Sequence, residues 1–327
     1  MRRLLQIVLL LLLALAGIGL RYVYHRGLTK SWREWMVEEV RKHGVEVSFA
    51  RLTVRPFRGL VAKDVVIFDS PARDRVLARV NEMVVEANYA NAAAGKPFLD
   101  ALTLVDTSLR VPLDPKQPGG PSVDVQKLNA RILFPPNQVH VIHLDAEVLG
   151  IHLRAAGKLV IPPGAPMFQD QGATNPALLL HVVNAMRQVR YVGGAPRLTV
   201  QFSGDTSRPR EIVVDADLTT HGVRLGSYSL TSLAASANWQ NGMLLLSRLE
   251  ATDPLGRLDG SGSFDPKSRT ANLQARSGLD LARIARGFKI WDVREISLQS
   301  APEIDVTARV QLPDGKTGRG LGLKILG

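Results

Sequence analysis

The sequence predicts a mostly β protein: an N-terminal transmembrane helix, then an antiparallel sheet with two or three short helices. Three observations lead there. A single uncharged apolar run sits at the N-terminus, residues 4–20. From Val45 onward the dominant hydrophobic period is two, the mark of strands with one apolar and one polar face. Turn residues then punctuate the alternating runs at Pro118-Gly119-Gly120-Pro121, Asn241-Gly242, Asp265-Pro266 and Asp314-Gly315.

The apolar run reads LLQIVLLLLLALAGIGL, with Gln6 its one polar residue. As a helix it spans about 26 Å, and Tyr22-Val23-Tyr24 extends it toward the roughly 30 Å of a bilayer core with an interfacial aromatic pair. Ala14-Leu15-Ala16 fits a signal-peptidase site, but the run continues past it to Leu20, which favours an uncleaved anchor over residues 1–28. Arg2 and Arg3 precede the run and Arg21, His25 and Arg26 follow it, so flanking charge does not set the orientation. A short N-terminus and a long following domain favour a cytoplasmic N-terminus, with the bulk across the membrane.

A short amphipathic helix is expected over 29–44. Ser31-Trp32-Arg33-Glu34 forms a capping box and Gly44 a C-terminal stop. Trp32 and Trp35 suit either the membrane interface or the first strands. Strands follow through the β-rich region 45–327. The clearest alternation places His140, Ile142, Leu144, Ala146 and Val148 on one face of 140–148. Residues 151–161 place Ile151, Leu153, Ala155, Leu159 and Ile161 on one face, and 304–312 repeat the pattern. Weaker alternation runs over 61–69, 80–89, 102–113, 198–202, 211–219, 233–239, 243–251 and 271–276. Two helices interrupt the strands. One runs from Ala177 to Tyr191 behind an Asn175-Pro176 start, with Arg187 and Arg190 in its last turns. A shorter one runs from Leu281 to Arg286, capped by Asp280.

Composition narrows the chemistry. The chain has no cysteine, which removes disulfides, a thiol nucleophile and thiolate metal ligands. The net charge of +11 favours anionic partners. Lys and Arg are spread along the chain and aromatics are only 6%, so the clustered basic-aromatic face of a nucleic-acid binder is missing. His140 and His143 are three apart on a strand and point to opposite faces unless the strand bulges. His152 is placed to approach His143 across a hairpin, yet exposed histidines are the ordinary outcome. Asp215 and Asp217 share a face of an ordinary alternating strand. Gly256, Gly260 and Gly262 lack the following helix and Lys-Ser/Thr of a phosphate loop. No catalytic residue, metal site or cofactor is expected, and the chain does not read as an enzyme.

The order of parts resembles the AsmA-like proteins of Gram-negative bacteria, a group related to bridge-like lipid-transfer proteins. The resemblance rests on the single anchor, the capped helix, Gly44-Val45-Glu46-Val47 and the strand Phe49–Val54. It continues through FRGLVAKDVVIFD at 57–69, LDALTLVDTSLRVPL at 99–113 and DPLGRLDGSGSFD at 253–265. An internal echo accompanies it: Leu149-Gly150-Ile151 leads through Gly157 to Pro162, and Leu255-Gly256-Arg257 through Gly262 to Pro266.

The resemblance implies a long curved sheet whose apolar concave face shields acyl chains. It also implies a bacterial inner-membrane protein, single-pass, with its bulk in the periplasm. The partners implied are phospholipid or another envelope lipid, the inner membrane, and envelope proteins. The groove candidates are Ile142, Leu144, Val148, Ile151, Leu153 and Leu159. The expected function is lipid binding in support of lipid transport or outer-membrane biogenesis. The alternative is a non-transporting scaffold for envelope or outer-membrane-protein assembly.

Overall fold

The computed structural model describes residues 34, 37–38, 41, 46–55, 59–69, 72–88, 91, 99–114, 119–162, 180, 183–184, 186–225, 228–279, 303–311 and 322–326. The expected anchor, most of the helix at 29–44, the helix at 281–286 and the turn at Asp314-Gly315 lie outside them. Among the described residues no helix is long and apolar enough to cross a membrane. The chain divides into two compact units, Met1–Pro135 and Pro136–Gly327, where the sequence reads as one β-rich region from 45 onward.

The first unit is an antiparallel meander of β1 (Glu46–Arg55), β2 (Gly59–Phe68), β3 (Val76–Ala87), β4 (Leu99–Pro112) and β5 (Ser122–Leu133). Each strand pairs with the next. Its core is a cluster of Val47, Leu52, Ala62, Val65 and Val80, with Phe49, Leu60, Ile67, Met83 and Leu104 packed on it. Strict alternation does not produce this set. Val47 and Phe49 share the core with Leu52, three residues on, and Ala62 shares it with Val65. The register carries the same step to Val80/Met83, Leu104/Thr107 and Val125/Leu128. One extra residue midway along each strand reverses the side chains that follow it. The reversal falls on one register row in β1–β4 and on the next row in β5, where Leu128 and Val125 oppose Thr107 and Leu109, and one face stays apolar on both sides of it. The reversal has a visible backbone cause in three of them. Asp64, Asp106 and Lys127 adopt left-handed φ of 53°, 48° and 51°. The last two are tied together by Asn129, whose amide donates to Lys127 O (3.0 Å) and whose carbonyl accepts from Asp106 N (3.0 Å).

Glu46 opens β1 as a nearly buried carboxylate. Arg41 Nε and Nη2 donate to it at 2.8 and 2.9 Å, and Arg73 Nε donates at 2.7 Å. These bonds, first from Arg41 and then from Arg73, hold its pKa down at about 2. Arg73 also stacks 5.7 Å from the Phe68 ring centroid. The clamp joins Arg41, ahead of the first strand, and the first residue of β1 to Arg73 in the β2–β3 turn.

The second unit contains β6 (Gln138–Val148), β7 (Ile151–Val160), β8 (Val189–Tyr191), β9 (Arg197–Asp205), β10 (Val213–Leu225), β11 (Tyr228–Gln240), β12 (Met243–Thr252), β13 (Arg257–Asp265), β14 (Thr270–Ser277), β15 (Ile304–Gln311) and β16 (Gly322–Leu326). Its strand order is β6-β7-β9-β10-β11-β12-β13-β14-β15-β16, with β8 paired to β10 beside it. The expected turns at Asn241-Gly242 and Asp265-Pro266 close β11–β12 and β13–β14. Asn241 and Gly242 take φ of 55° and 74°, the left-handed pair of a two-residue hairpin. Asp265 accepts from Lys267 N (2.9 Å) and Ser268 Oγ (2.8 Å), which lowers its pKa.

Two expectations are corrected here. The sheet is mixed, not antiparallel throughout, because β7 and β9 pair in parallel. Parallel neighbours need a long crossover, and the segment 161–196 supplies it. The helix expected to reach Tyr191 ends earlier: residues 186–188 are helical, but Val189–Tyr191 pair with Val223–Leu225 of β10 as β8. Ladder hydrogen bonds to β10 replace the last helical turn, so Arg190 lies on a strand.

Candidate functional site

Opposed residues in a ladder share a face, so the registers of the second unit assign its two faces strand by strand. One face carries Val139, Val141, Leu144, Ala146 and Val148 of β6 and Ile151, Leu153, Ala155, Gly157 and Leu159 of β7. It continues with Leu198, Val200 and Phe202 of β9 and Val214, Ala216 and Leu218 of β10. Then follow Leu233, Ala235, Ala237 and Trp239 of β11 and Leu244, Leu246, Leu249 and Ala251 of β12. The last members are Leu258 and Phe264 of β13, Ala271, Leu273 and Ala275 of β14, and Ile304, Val306 and Ala308 of β15. The three-residue step recurs, at Val141/Leu144 and Leu246/Leu249, where the ladders shift register.

Five of the six groove candidates, Leu144, Val148, Ile151, Leu153 and Leu159, lie together on this face. Ile142 does not. The β6 bulge sets Ile142 and His143 against the single residue Ala156, and Ile142 is 50% exposed. It lines an open cleft of about 380 Å³ on the other face with His140, Lys158, Gln201, Ser203 and Asp215. Plain alternation missed this, although the polar pair His140 and His143 at a spacing of three was the signal.

Of the residues named on the apolar face, only Ala146, Ile151, Ala251 and Ala308 are buried. The others, including every leucine, phenylalanine and tryptophan named above, are half-buried or exposed, Leu244 at 37%. In the first unit, by contrast, Leu52, Val65 and Val80 are at 3% or less. Gly157 leaves room for the Phe202 ring on the next strand. A Cβ there would lie 2.1 Å from Phe202 O and 2.7 Å from the ring.

The opposite face is ionic. Arg154 donates to Asp145 across β6–β7 (2.9 Å), and Arg276 to Asp305 across β14–β15 (2.9 Å). Arg248 forks onto Glu250 at 2.8 and 2.7 Å, and this bonding lowers the Glu250 pKa. Asp215 accepts from Asn238 (2.7 Å) and Asp217 from Ser236 (2.6 Å), so each aspartate has its own neutral donor. His152 lies opposite Glu147, away from His143, and His140 bonds Gln138 at 2.6 Å. Among the described residues no three His, Asp or Glu gather to hold a metal. Asp253 sits in the β12–β13 turn and accepts from the buried Tyr228 hydroxyl (2.8 Å) and from Leu255 N and Gly256 N (both 2.7 Å). Burial alone raises the Tyr191 pKa.

Comparison with protein-family models, with curated proteins and with solved structures finds no match to this chain.

Proposed function

We propose that the chain is a membrane-anchored envelope protein of the AsmA-like type that binds acyl chains on the apolar face of its second unit. The observation that carries this reading is the state of that face. Nine strands, β6, β7 and β9–β15, present it, and its leucines, phenylalanines and tryptophan remain half-exposed among the described residues. Each methylene of an acyl chain moved from water onto such a surface contributes about 0.8 kcal/mol. A lipid can therefore be held there without directional polar contacts. An anchor over residues 4–20 would tether the chain to a bilayer that supplies lipid, with the bulk in the periplasm.

The test is face-specific photo-crosslinking in bacteria grown on radiolabelled fatty acid. A benzophenone side chain replaces Leu153 or Leu246 on the apolar face, or Arg154 or Arg248 on the ionic face. Label on the first pair and not the second supports lipid on the apolar face. Protein adducts in place of label at Leu153 and Leu246 would favour the scaffold reading. Equal labelling of both faces would point to general proximity to membrane and refute the proposal.

A further inference from the structure

The ionic face sets opposite charges against each other across its ladders, as in Asp145 opposite Arg154 and Arg276 opposite Asp305. Like charges are opposed in register at Arg309 and Lys324 and at Glu250 and Asp259, where Arg257 reaches both carboxylates (3.4 and 2.6 Å). Arg190 of β8 lies directly opposite Arg224 of β10. Directly opposed side chains have Cβ atoms about 4.5–5.5 Å apart, where like charges destabilise the sheet. In the first unit Arg51 similarly faces Lys63, but there Glu82 lies 3.3 Å from the lysine and offsets the repulsion. Among the described residues neither the Arg190 nor the Arg224 side chain has a hydrogen bond or an ion pair, and both residues are exposed. On the far side of Arg224, Ser229 of β11 is opposed to it and exposed as well. The row thus reads Arg190, Arg224, Ser229: two planar cationic forks and a hydroxyl on one face, with no anion among them.

The backbone beneath the pair is tightly fixed. Val192 N donates to Gly222 O at 2.6 Å. Gly222 takes φ +66°, and a Cβ there would lie 2.6 Å from Gly193 N. This close approach holds the three-residue strand β8 against β10 and so holds the arginines in opposition.

We propose that Arg190, Arg224 and Ser229 form a binding site for a phosphate-type oxyanion. Guanidinium groups match such oxygens through paired N–H donors, and a dianion or monoanion between them replaces repulsion by two attractive contacts. The ligand is either free phosphate or the phosphodiester of an anionic lipid headgroup. The site lies on the face opposite the apolar one and stands independently of acyl binding there.

The experiment uses the full chain in a non-ionic detergent. Inorganic phosphate is titrated against chloride at matched ionic strength, and dihexanoylphosphatidylglycerol against dihexanoylphosphatidylcholine, with affinity read by calorimetry and stability by thermal melting. Wild type is expected to bind phosphate, the phosphatidylglycerol, or both. Phosphate alone identifies a free-anion site; the phosphatidylglycerol, with or without phosphate, identifies a headgroup site. Arg190→Gln and Arg224→Gln should each weaken binding about tenfold or more, Arg224→Lys less, and Arg154→Gln, whose arginine already has Asp145, not at all. In anion-free, low-salt buffer Arg224→Gln should melt higher than wild type because the repulsion is gone. Binding by neither ligand, or equal binding by wild type and the Arg190→Gln/Arg224→Gln double variant, overturns the proposal.

Discussion

Replacing Val65 by alanine tests whether the first unit is held by the core that its three-residue steps assemble. Val65 is 1% exposed and lies opposite Phe49 on one side and Val80 on the other. The change removes two methyl carbons, about 1.6 kcal/mol of transfer free energy at 0.8 kcal/mol per carbon. The flanking strands are fixed by their ladders and cannot close the gap, so a cavity term adds to it. The expected loss is about 2–3 kcal/mol. Val66→Ala, one residue on and half-buried on the other face, should cost under about 1 kcal/mol. The parity itself is tested one turn of the pleat away. Strict alternation from Val65 would put Lys63 in the core, whereas the structure puts Ala62 there, at 4% exposure. Ala62→Leu should therefore overpack and cost about 1–3 kcal/mol, and Lys63→Leu should be nearly neutral. The assay is urea unfolding followed by far-ultraviolet circular dichroism, with a constant slope as the check on the unfolded state. Equal losses at Val65 and Val66, or a larger loss at Lys63 than at Ala62, would refute the step.

Thr107 is 2% exposed on the core face, and its hydroxyl has no partner among the described residues. Thr107→Val should stabilise by about 1 kcal/mol, seen as a higher urea midpoint. Gly157→Val should destabilise because its Cβ meets Phe202 at 2.1 Å, and Phe202→Ala in the same chain should recover only part of the loss, since the backbone clash remains; thermal melting of the three variants checks this. Glu46 has a folded pKa of about 2 against 4.5 for the free side chain. A depressed carboxylate contributes stability that is complete above about 4.5 and lost as pH falls through about 2. The difference in urea midpoint between wild type and Glu46→Gln should therefore be constant from pH 7 to 5 and shrink below pH 4.5.

Alternation made most strands legible, and its failures share one cause. The segment Ser122–Leu133 carries Val123 and Val125, then Leu128, Ala130 and Ile132; the left-handed Lys127 between them breaks the period of two, so alternation does not mark this strand. Ile142 was placed on the apolar face for the same reason, since a bulge is invisible to a strict two-residue count. Strand β8 was hidden differently. Val189-Arg190-Tyr191 continues a helical pattern, and only the tertiary pairing with β10 decides between helix and strand. The parallel pairing of β7 with β9 did have a signal. A helix of a dozen residues between two strands is the usual sign of a crossover. The arginine row was not legible at all, because Arg190 and Arg224 meet through a register that no spacing in the sequence encodes.

The two faces of the second unit impose different demands on the sequence, which explains why its function left so little trace in motifs. A slip of one residue exchanges the faces of a strand. For β15 it would carry Asp305, Thr307 and Arg309 onto the apolar side. Leucine, valine and alanine resist such a slip by burial, and the exposed ion pairs of the other face add little each. The apolar surface itself carries no directional contacts. Whatever binds it gains affinity with buried length and not with pattern. On the proposed reading, acyl chains of increasing length should bind with steadily increasing affinity, whatever their headgroup. Any headgroup preference must then arise on the ionic face, where Arg190 and Arg224 are opposed with no anion in their row.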